Sequence, residues 1–199
     1  MSRALVVATR NKGKLREIVD LLGKDVDIRS LDEYPDAPEV EEDGETFEAN
    51  ALKKARTISA HTGEITLGDD SGLEVDALDG APGIHSARFA GLEATDGDNN
   101  AKLLECLRNV DDEARTARFR CVLALVAPEG DEQTVTASWE GRILREPRGD
   151  HGFGYDPLFY SPDHNVTSAE LPTQEKNKIS HRGQALAKAR DSILTALQD

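Results

Sequence analysis

Two acids stand side by side at Asp69-Asp70, directly after the apolar run Ile65-Thr66-Leu67 and between Gly68 and Gly72. Adjacent carboxylates repel, and the pair becomes tolerable where a divalent cation or a bound proton offsets the repulsion. The two glycines permit a sharp turn and a close backbone approach. Ligand sites in α/β sheets gather at the C-terminal ends of strands. The pair therefore reads as a candidate metal site and general base. Taken alone, the same Asp-Ser-Gly run also makes an ordinary solvated turn.

Four further segments carry complementary chemistry. Thr9-Arg10-Asn11-Lys12-Gly13-Lys14 lies between a first strand and a first helix, where free N–H groups, two lysines and polar side chains make an anion cradle or simply a solvated helix start. It is neither a Walker A loop nor a dinucleotide fingerprint. Glu41-Glu42-Asp43 offers loop acids that are either solvated or join Asp69 and Asp70 around Mg²⁺. Gly152-Phe153-Gly154-Tyr155-Asp156-Pro157-Leu158-Phe159 interleaves glycine with aromatics. Phe153 can stack on a flat base while Asp156 reads its edge, or the segment is a strand with core aromatics. Glu175 to Gly183 gathers Lys176, Lys178, His181 and Arg182 at the start of the last helix. In a chain of net charge −14 this is the densest basic patch. It suits phosphates or a purine carbonyl oxygen, or an exposed basic turn after a Ser180 cap.

The elements that must position these residues follow from periodicity. Arg3 to Thr9 reads as a strand. Asn11 caps a helix with Leu15, Ile18, Val19 and Leu22 inward, and Gly23 closes it. Asp25 to Leu31 alternates weakly as a second strand. A Pro- and acid-rich loop over residues 34–44 precedes a helix from about Glu45 to His61, whose apolar face is Phe47, Ala51, Leu52, Ala55 and Ile58. Ile65–Leu67 is a strand ending at the acids, and Leu73, Val75 and Ala77 form another short one. A helix is expected over Asn99–Val110. Phe119–Ala127 and Thr134–Trp139 pair as a hairpin, and a last helix runs from about His181 to Leu197. The order predicts an α/β protein with a mixed sheet. No repeat and no long linker divides the 199 residues, so one domain is expected.

Composition narrows the function classes. With 38% hydrophobic and 31% charged residues the chain is a globular protein rather than a disordered tail. No apolar run approaches the roughly 20 residues of a membrane span, and the first strand lacks the flanks of a signal peptide, so a cytoplasmic location is expected. The acidic balance argues against a broad nucleic-acid face. Cys106 and Cys121 are expected to be buried, reduced thiols, and Trp139 a core residue.

Taken in order, Ala8 to Lys14, Glu42 to Phe47, Asp69 to Leu73, Gly80 to Arg88, Gly152 to Pro157, and Ala169 to Leu171 through Ser180 to Gly183 resemble the inosine triphosphate pyrophosphatase family, the XTP/dITP diphosphatases. The resemblance runs nearly end to end. It implies hydrolysis of ITP, dITP and XTP to the monophosphate and pyrophosphate, with Mg²⁺, cleansing the nucleotide pool. It also implies a two-lobed α/β fold with a long mixed sheet and a cleft between lobes, usually as a homodimer. Carried over by motif, Asp70 is the proton acceptor and a magnesium ligand, with Glu41 or Glu42 as the other ligand. Thr9, Arg10, Asn11, Lys12, Gly13 and Lys14 hold the triphosphate, and Ser71 contacts substrate. Phe153, Gly154, Tyr155, Asp156, Lys176, His181 and Arg182 surround the base and phosphates. Two positions depart from the family pattern: Arg10 replaces a common Gly, and Ala49 replaces a Glu whose role Glu48 or the Glu41-Glu42 pair must then take. Two other functions remain open: a pyrophosphatase for pyrimidine or modified nucleotides, and a silent nucleotide-binding sensor.

Overall fold

The chain folds around alternating apolar strands, and a computed structural model describes residues 4–198. Strand β1 (Leu5–Ala8) is wholly buried; the expected strand residue Arg3 lies outside the described residues. Helix α1 (Lys12–Leu22) starts at Asn11, whose side chain accepts from the Lys14 N–H, and ends at Gly23. Its inward face is Ile18 and Leu22 joined by Glu17, whereas Val19 is 42% exposed. After β2 (Ile28–Ser30), α2 (Phe47–Thr62) is capped by Thr46 and closed by Gly63 in the left-handed region. Then come β3 (Ile65–Val75), α3 (Asp96–Cys106), β4 (Thr116–Val126), β5 (Glu132–Ile143), β6 (Phe159–Ser161), β7 (Val166–Thr167), α4 (Thr173–Ile179) and α5 (His181–Ala196).

The seven strands lie in the order β2-β1-β3-β4-β5-β6-β7. β1 runs parallel to both β2 and β3, while β6 is antiparallel to β5 and β7. The sheet is therefore mixed and helix-flanked, an α/β architecture. Register places Ala8 opposite Gly68, so the loop leaving β1 departs level with the residue before the acid pair.

The chain forms two compact units. The first takes the segment up to Asp70, Cys121–Ala137 and the chain from Arg182 onward. Its core joins Leu5, Val7, Ile18, Leu22, Ile65, Leu67, Cys121 and Leu123 with Ala185, Leu186 and Ile193 of α5; Val6, Ala8, Leu31, Ala37 and Ile58 form a further cluster. The second unit comprises Ser71–Arg120 and Ser138–His181. Its core is built on Leu73, Val75, Leu103, Leu107, Phe119, Trp139, Tyr155, Leu158 and Phe159, which places Trp139 in the interior.

Several expectations need correction. No turn follows Leu67. β3 continues without a break through Asp69, Asp70, Ser71 and Gly72 to Val75, absorbing the short strand expected at Leu73–Ala77. Gly68 and Gly72 serve close approach instead. A Cβ on Gly68 would lie 2.3 Å from the Ala51 carbonyl oxygen of α2, so the missing side chain lets helix and strand touch. α3 begins three residues earlier than expected, because Thr95 and Asp98 form a capping box. α4 went unanticipated because Thr-Gln-Glu-Lys-Asn-Lys-Ile has no apolar period. Cys106 is exposed, and only Cys121 is buried. Among the described residues no helix is long and apolar enough to cross a membrane.

Candidate active site

Side chains alternate across a strand, and this decides what the acid pair does. Asp69 and Asp70, adjacent in sequence, meet different partners. Asp69 is fully buried, with Oδ1 2.7 Å from Lys14 Nζ and Oδ2 2.7 Å from Arg182 Nε. The Cys121 thiol also lies 3.6 Å from Oδ2. Burial pushes the Asp69 carboxyl up, but Arg182 and Lys14 outweigh it and hold the group well below the usual range. Burial raises the Cys121 thiol well above its ordinary value, and Asp69 adds to the rise, so this thiol is inert rather than reactive.

Asp70 contacts Lys54 of α2, with Oδ1 3.1 Å from Nζ. The same ammonium lies 2.7 Å from Glu42 Oε1. Asp70 Oδ2 is buried and has no hydrogen-bond partner among the described residues. Burial raises the Asp70 carboxyl and prevails over the lowering by Lys54 and Lys14. Burial lowers Lys54, but Asp70 and Glu42 overcome that and raise it. Of the two candidate loop acids, Glu42 faces Lys54 while Glu41 is exposed. The loop is pinned to α2 by the Gly44 N–H, which donates to Asn50 Oδ1 at 2.8 Å. Glu48, considered as a substitute for the missing acid at position 49, instead accepts from the Thr134 hydroxyl at 2.6 Å.

At the start of α1 the Asn11 N–H donates to Thr9 Oγ1 at 3.2 Å. Lys12 is exposed and Gly13 half-buried, while Lys14 turns inward to Asp69. Arg10 donates from Nη2 to the Ala37 carbonyl at 3.1 Å, which ties this departure from the family pattern to the 34–44 loop. Arg182 is 1% exposed. It spans two carboxylates, with Nη1 2.5 Å from Glu17 Oε2 and Nε on Asp69.

The second unit gathers the aromatic loop. Asp156, expected to read a base edge, has both oxygens engaged within the protein. Oδ2 accepts from Lys176 Nζ at 2.6 Å and from the Phe153 N–H at 2.9 Å, and Oδ1 accepts from the Ser168 hydroxyl at 2.7 Å. Lys176 also sits 5.0 Å above the Phe153 ring. Asp156 is therefore a brace for the loop, and Phe153 is left as its flat face. Gly154 carries a φ of 62°. Tyr155 is buried and donates to the Ser86 carbonyl at 2.8 Å, a core role. His181 is buried and stacked on Phe119, with centroids 4.8 Å apart. Ser71, half-buried in β3, follows Asp70 directly.

Motif reading missed Lys54 and Glu17. The signal was present: each is a charged residue inside an apolar helical stripe, Lys54 between Ala51 and Ala55 and Glu17 beside Ile18. A charge in such a stripe needs a buried partner.

Comparison with known proteins identifies the relatives of the chain. The chain is 56% identical over 190 residues to the "dITP/XTP pyrophosphatase" of Geobacter sulfurreducens, covering 95% of this chain and 96% of that protein. It is 53% identical over 194 residues to the protein of that name from Exiguobacterium sibiricum, covering 97% and 98%. Among solved structures, a HAM1 protein from Coxiella burnetii superposes with a TM-score of 0.86 at 47% identity, covering 97% of this chain and 98% of that one. The Ham1 protein of Staphylococcus aureus gives 0.86 at 36% identity, covering 96% and 98%. With the Ham1 sequence model matching residues 5–192, a span that holds every residue of the candidate site, the chain belongs to the Ham1 family.

Proposed function

We propose that the protein hydrolyses non-standard purine nucleoside triphosphates, dITP, XTP and ITP, to the monophosphate and pyrophosphate, removing them from the nucleotide pool. The names of its relatives accord with this reading, and one observation carries it. Among the described residues the buried carboxylate Asp70 has an unpartnered oxygen beside a lysine and a second acid, whereas its neighbour Asp69 is saturated. A carboxyl raised by burial is a stronger base than an ordinary aspartate, and Asp70 takes the proton of the attacking water. Lys54, Lys14 and the N–H groups opening α1 offset charge on the phosphates.

Mg²⁺ fits this donor set. The described residues offer no cluster of three or more His, Cys, Asp or Glu, and magnesium commonly takes one or two carboxylates together with waters and substrate phosphates. Asp70, through its open oxygen, and Glu42 would hold it. When bound, the ion supplies charge neutralisation and polarises a phosphoryl oxygen.

In the second unit Phe153 is the stacking face for a purine, on a loop braced by Asp156 and Lys176. A site donating to a 6-oxygen rejects a 6-amino group, since each donor left unpaired costs on the order of 1–3 kcal/mol. A homodimer and a cytoplasmic location belong to the same proposal.

The test is a panel of dITP, XTP, ITP, GTP, ATP and pyrimidine triphosphates with Mg²⁺, scoring pyrophosphate against orthophosphate. Preferential pyrophosphate release from the 6-keto purines is expected. Orthophosphate release, or binding of dITP without turnover, would replace hydrolysis at the α–β linkage with another function.

A further inference from the structure

The N-terminal end of α3 grips Gly154 on both sides, by its N–H and by its carbonyl. Asp96 Oδ2 accepts the Gly154 N–H at 2.7 Å, and Asn100 Nδ2 donates to the Gly154 carbonyl at 2.8 Å. The same Asn100 amide also donates to the Asp96 carbonyl at 2.9 Å. Both partners of Asn100 are carbonyl oxygens, which only the NH₂ group can serve, so its orientation is determined. Asn100 Oδ1 is left enclosed, with no partner among the described residues. Residues 96 and 100 are one helical turn apart, and the helix that carries them is fixed by the capping box of Thr95 and Asp98. Lys102 and Asn99 tie it further, donating to the carbonyls of Phe89 and Ala87.

Gly154 sits in the left-handed region and follows Phe153. Its backbone has no ladder or helix to hold it, and a glycine at positive φ is free to reach other conformations. Two independent restraints act on the loop. From inside, Asp156 holds the Phe153 N–H. From outside, α3 holds the two peptide groups that flank Gly154, one by its N–H and the other by its carbonyl. Neither Asp96 nor Asn100 belongs to the four sequence segments that carry the hydrolase chemistry.

We propose that Asp96 and Asn100 are positioning residues that fix the plane and height of the Phe153 ring through the two peptide groups flanking Gly154, so that the N-terminal end of α3 governs base selection. This rests on the purine-triphosphatase reading above. Their action is indirect: they set where a base stacks, and leave the chemistry at Asp70 untouched.

The experiment measures kcat and KM for dITP, XTP, dGTP and dATP in wild type, Asp96→Ala, Asn100→Ala and Asp96→Asn, with melting curves and titrations of the product dIMP. For Asp96→Ala and Asn100→Ala, KM for dITP is expected to rise about tenfold, as for loss of one charge-assisted or one well-aligned hydrogen bond. The Kd for dIMP should weaken in parallel, kcat should stay within about threefold, and the preference for dITP over dGTP should shrink. Asp96→Asn keeps an acceptor for the Gly154 N–H and should restore most of the loss. Lowered melting temperatures with unchanged KM, dIMP affinity and base preference would show a merely structural clamp and overturn the inference. So would an Asp96→Asn variant as impaired as Asp96→Ala. Wild type inactive on the whole panel overturns the hydrolase reading itself, whereas an active wild type with indifferent variants removes only the role of α3.

Discussion

Replacing Glu17 by Gln and Arg182 by Met, singly and together, probes the buried charges that hold Asp69. Arg182 lies between Glu17 and Asp69, and the three residues are 1%, 4% and 1% exposed respectively. Arg182→Met fills similar space but leaves both carboxylates without the guanidinium; Asp69 keeps Lys14 and Glu17 loses its short contact. Removing one member of a buried ion pair costs about 3–5 kcal/mol. Glu17→Gln keeps the shape and an acceptor while exchanging an ion-paired hydrogen bond for one from the guanidinium to a neutral amide, about 1–2 kcal/mol. In the double variant the stranded Glu17 charge is gone. The combined loss should therefore fall short of the sum by about 1–3 kcal/mol. In a protein of this size each kcal/mol moves the melting temperature by about 2–4 °C. Urea unfolding followed by circular dichroism, at neutral pH and with thermal scans alongside, measures all four corners of the cycle. A neutral Glu17→Gln, or strictly additive losses, would refute the claim that Glu17 and Arg182 act as one buried unit.

Three further outcomes are expected. Asp70→Asn should abolish pyrophosphate release while leaving the urea midpoint unchanged or slightly higher, because a carboxyl raised by burial is one whose charged form the fold disfavours; a clear loss of stability would contradict this. Glu42→Ala should weaken the Mg²⁺ dependence of turnover far more than Glu41→Ala, since only Glu42 shares Lys54 with Asp70; equal effects would count against that pairing. Asp69 has a depressed folded-state pKa, so its contribution is complete above the ordinary carboxylate value near 3.9 and is lost as pH falls through the folded value. The stability gap between wild type and Asp69→Asn should therefore be widest near neutrality and close below about pH 4, and a gap independent of pH would exclude a charged Asp69.

Most strands and helices were legible because their apolar periods are strong and their caps explicit: Asn11, Thr46 with Gly63, and the Pro128-to-Asp131 break between β4 and β5 all mark real boundaries. The turn wrongly expected at Gly68-Asp69-Asp70-Ser71-Gly72 shows where local propensity loses. Each residue there favours a turn in isolation, yet neighbouring strands and the approach of α2 over Gly68 keep the segment extended. The site divides in the same way. Residue types marked Asp69-Asp70, the Glu41-Glu42 pair and Lys14 as candidates. Which acid would be saturated and which left open depends on partners 113 positions away in sequence at Arg182 and 16 away at Lys54, and no local pattern encodes those. Asp156 stood out as a polar group in an aromatic loop and Lys176 as part of the basic patch before the last helix; in the structure each is the other's counter-ion.

The unbroken course of β3 has a consequence for how this protein can change over generations. Arg182 of α5 bears on Asp69, Lys54 of α2 and Glu42 of the acidic loop bear on Asp70, and Lys14 of α1 bears on both. Two consecutive codons thus sit under sets of modifiers that differ in Arg182 for one and in Lys54 and Glu42 for the other. Lineages can retune the basicity of Asp70 from α2 and the acidic loop while Arg182 keeps Asp69 ionised, but a single inserted residue between Ile65 and Asp69 would turn each carboxylate to the opposite face of the sheet at a stroke.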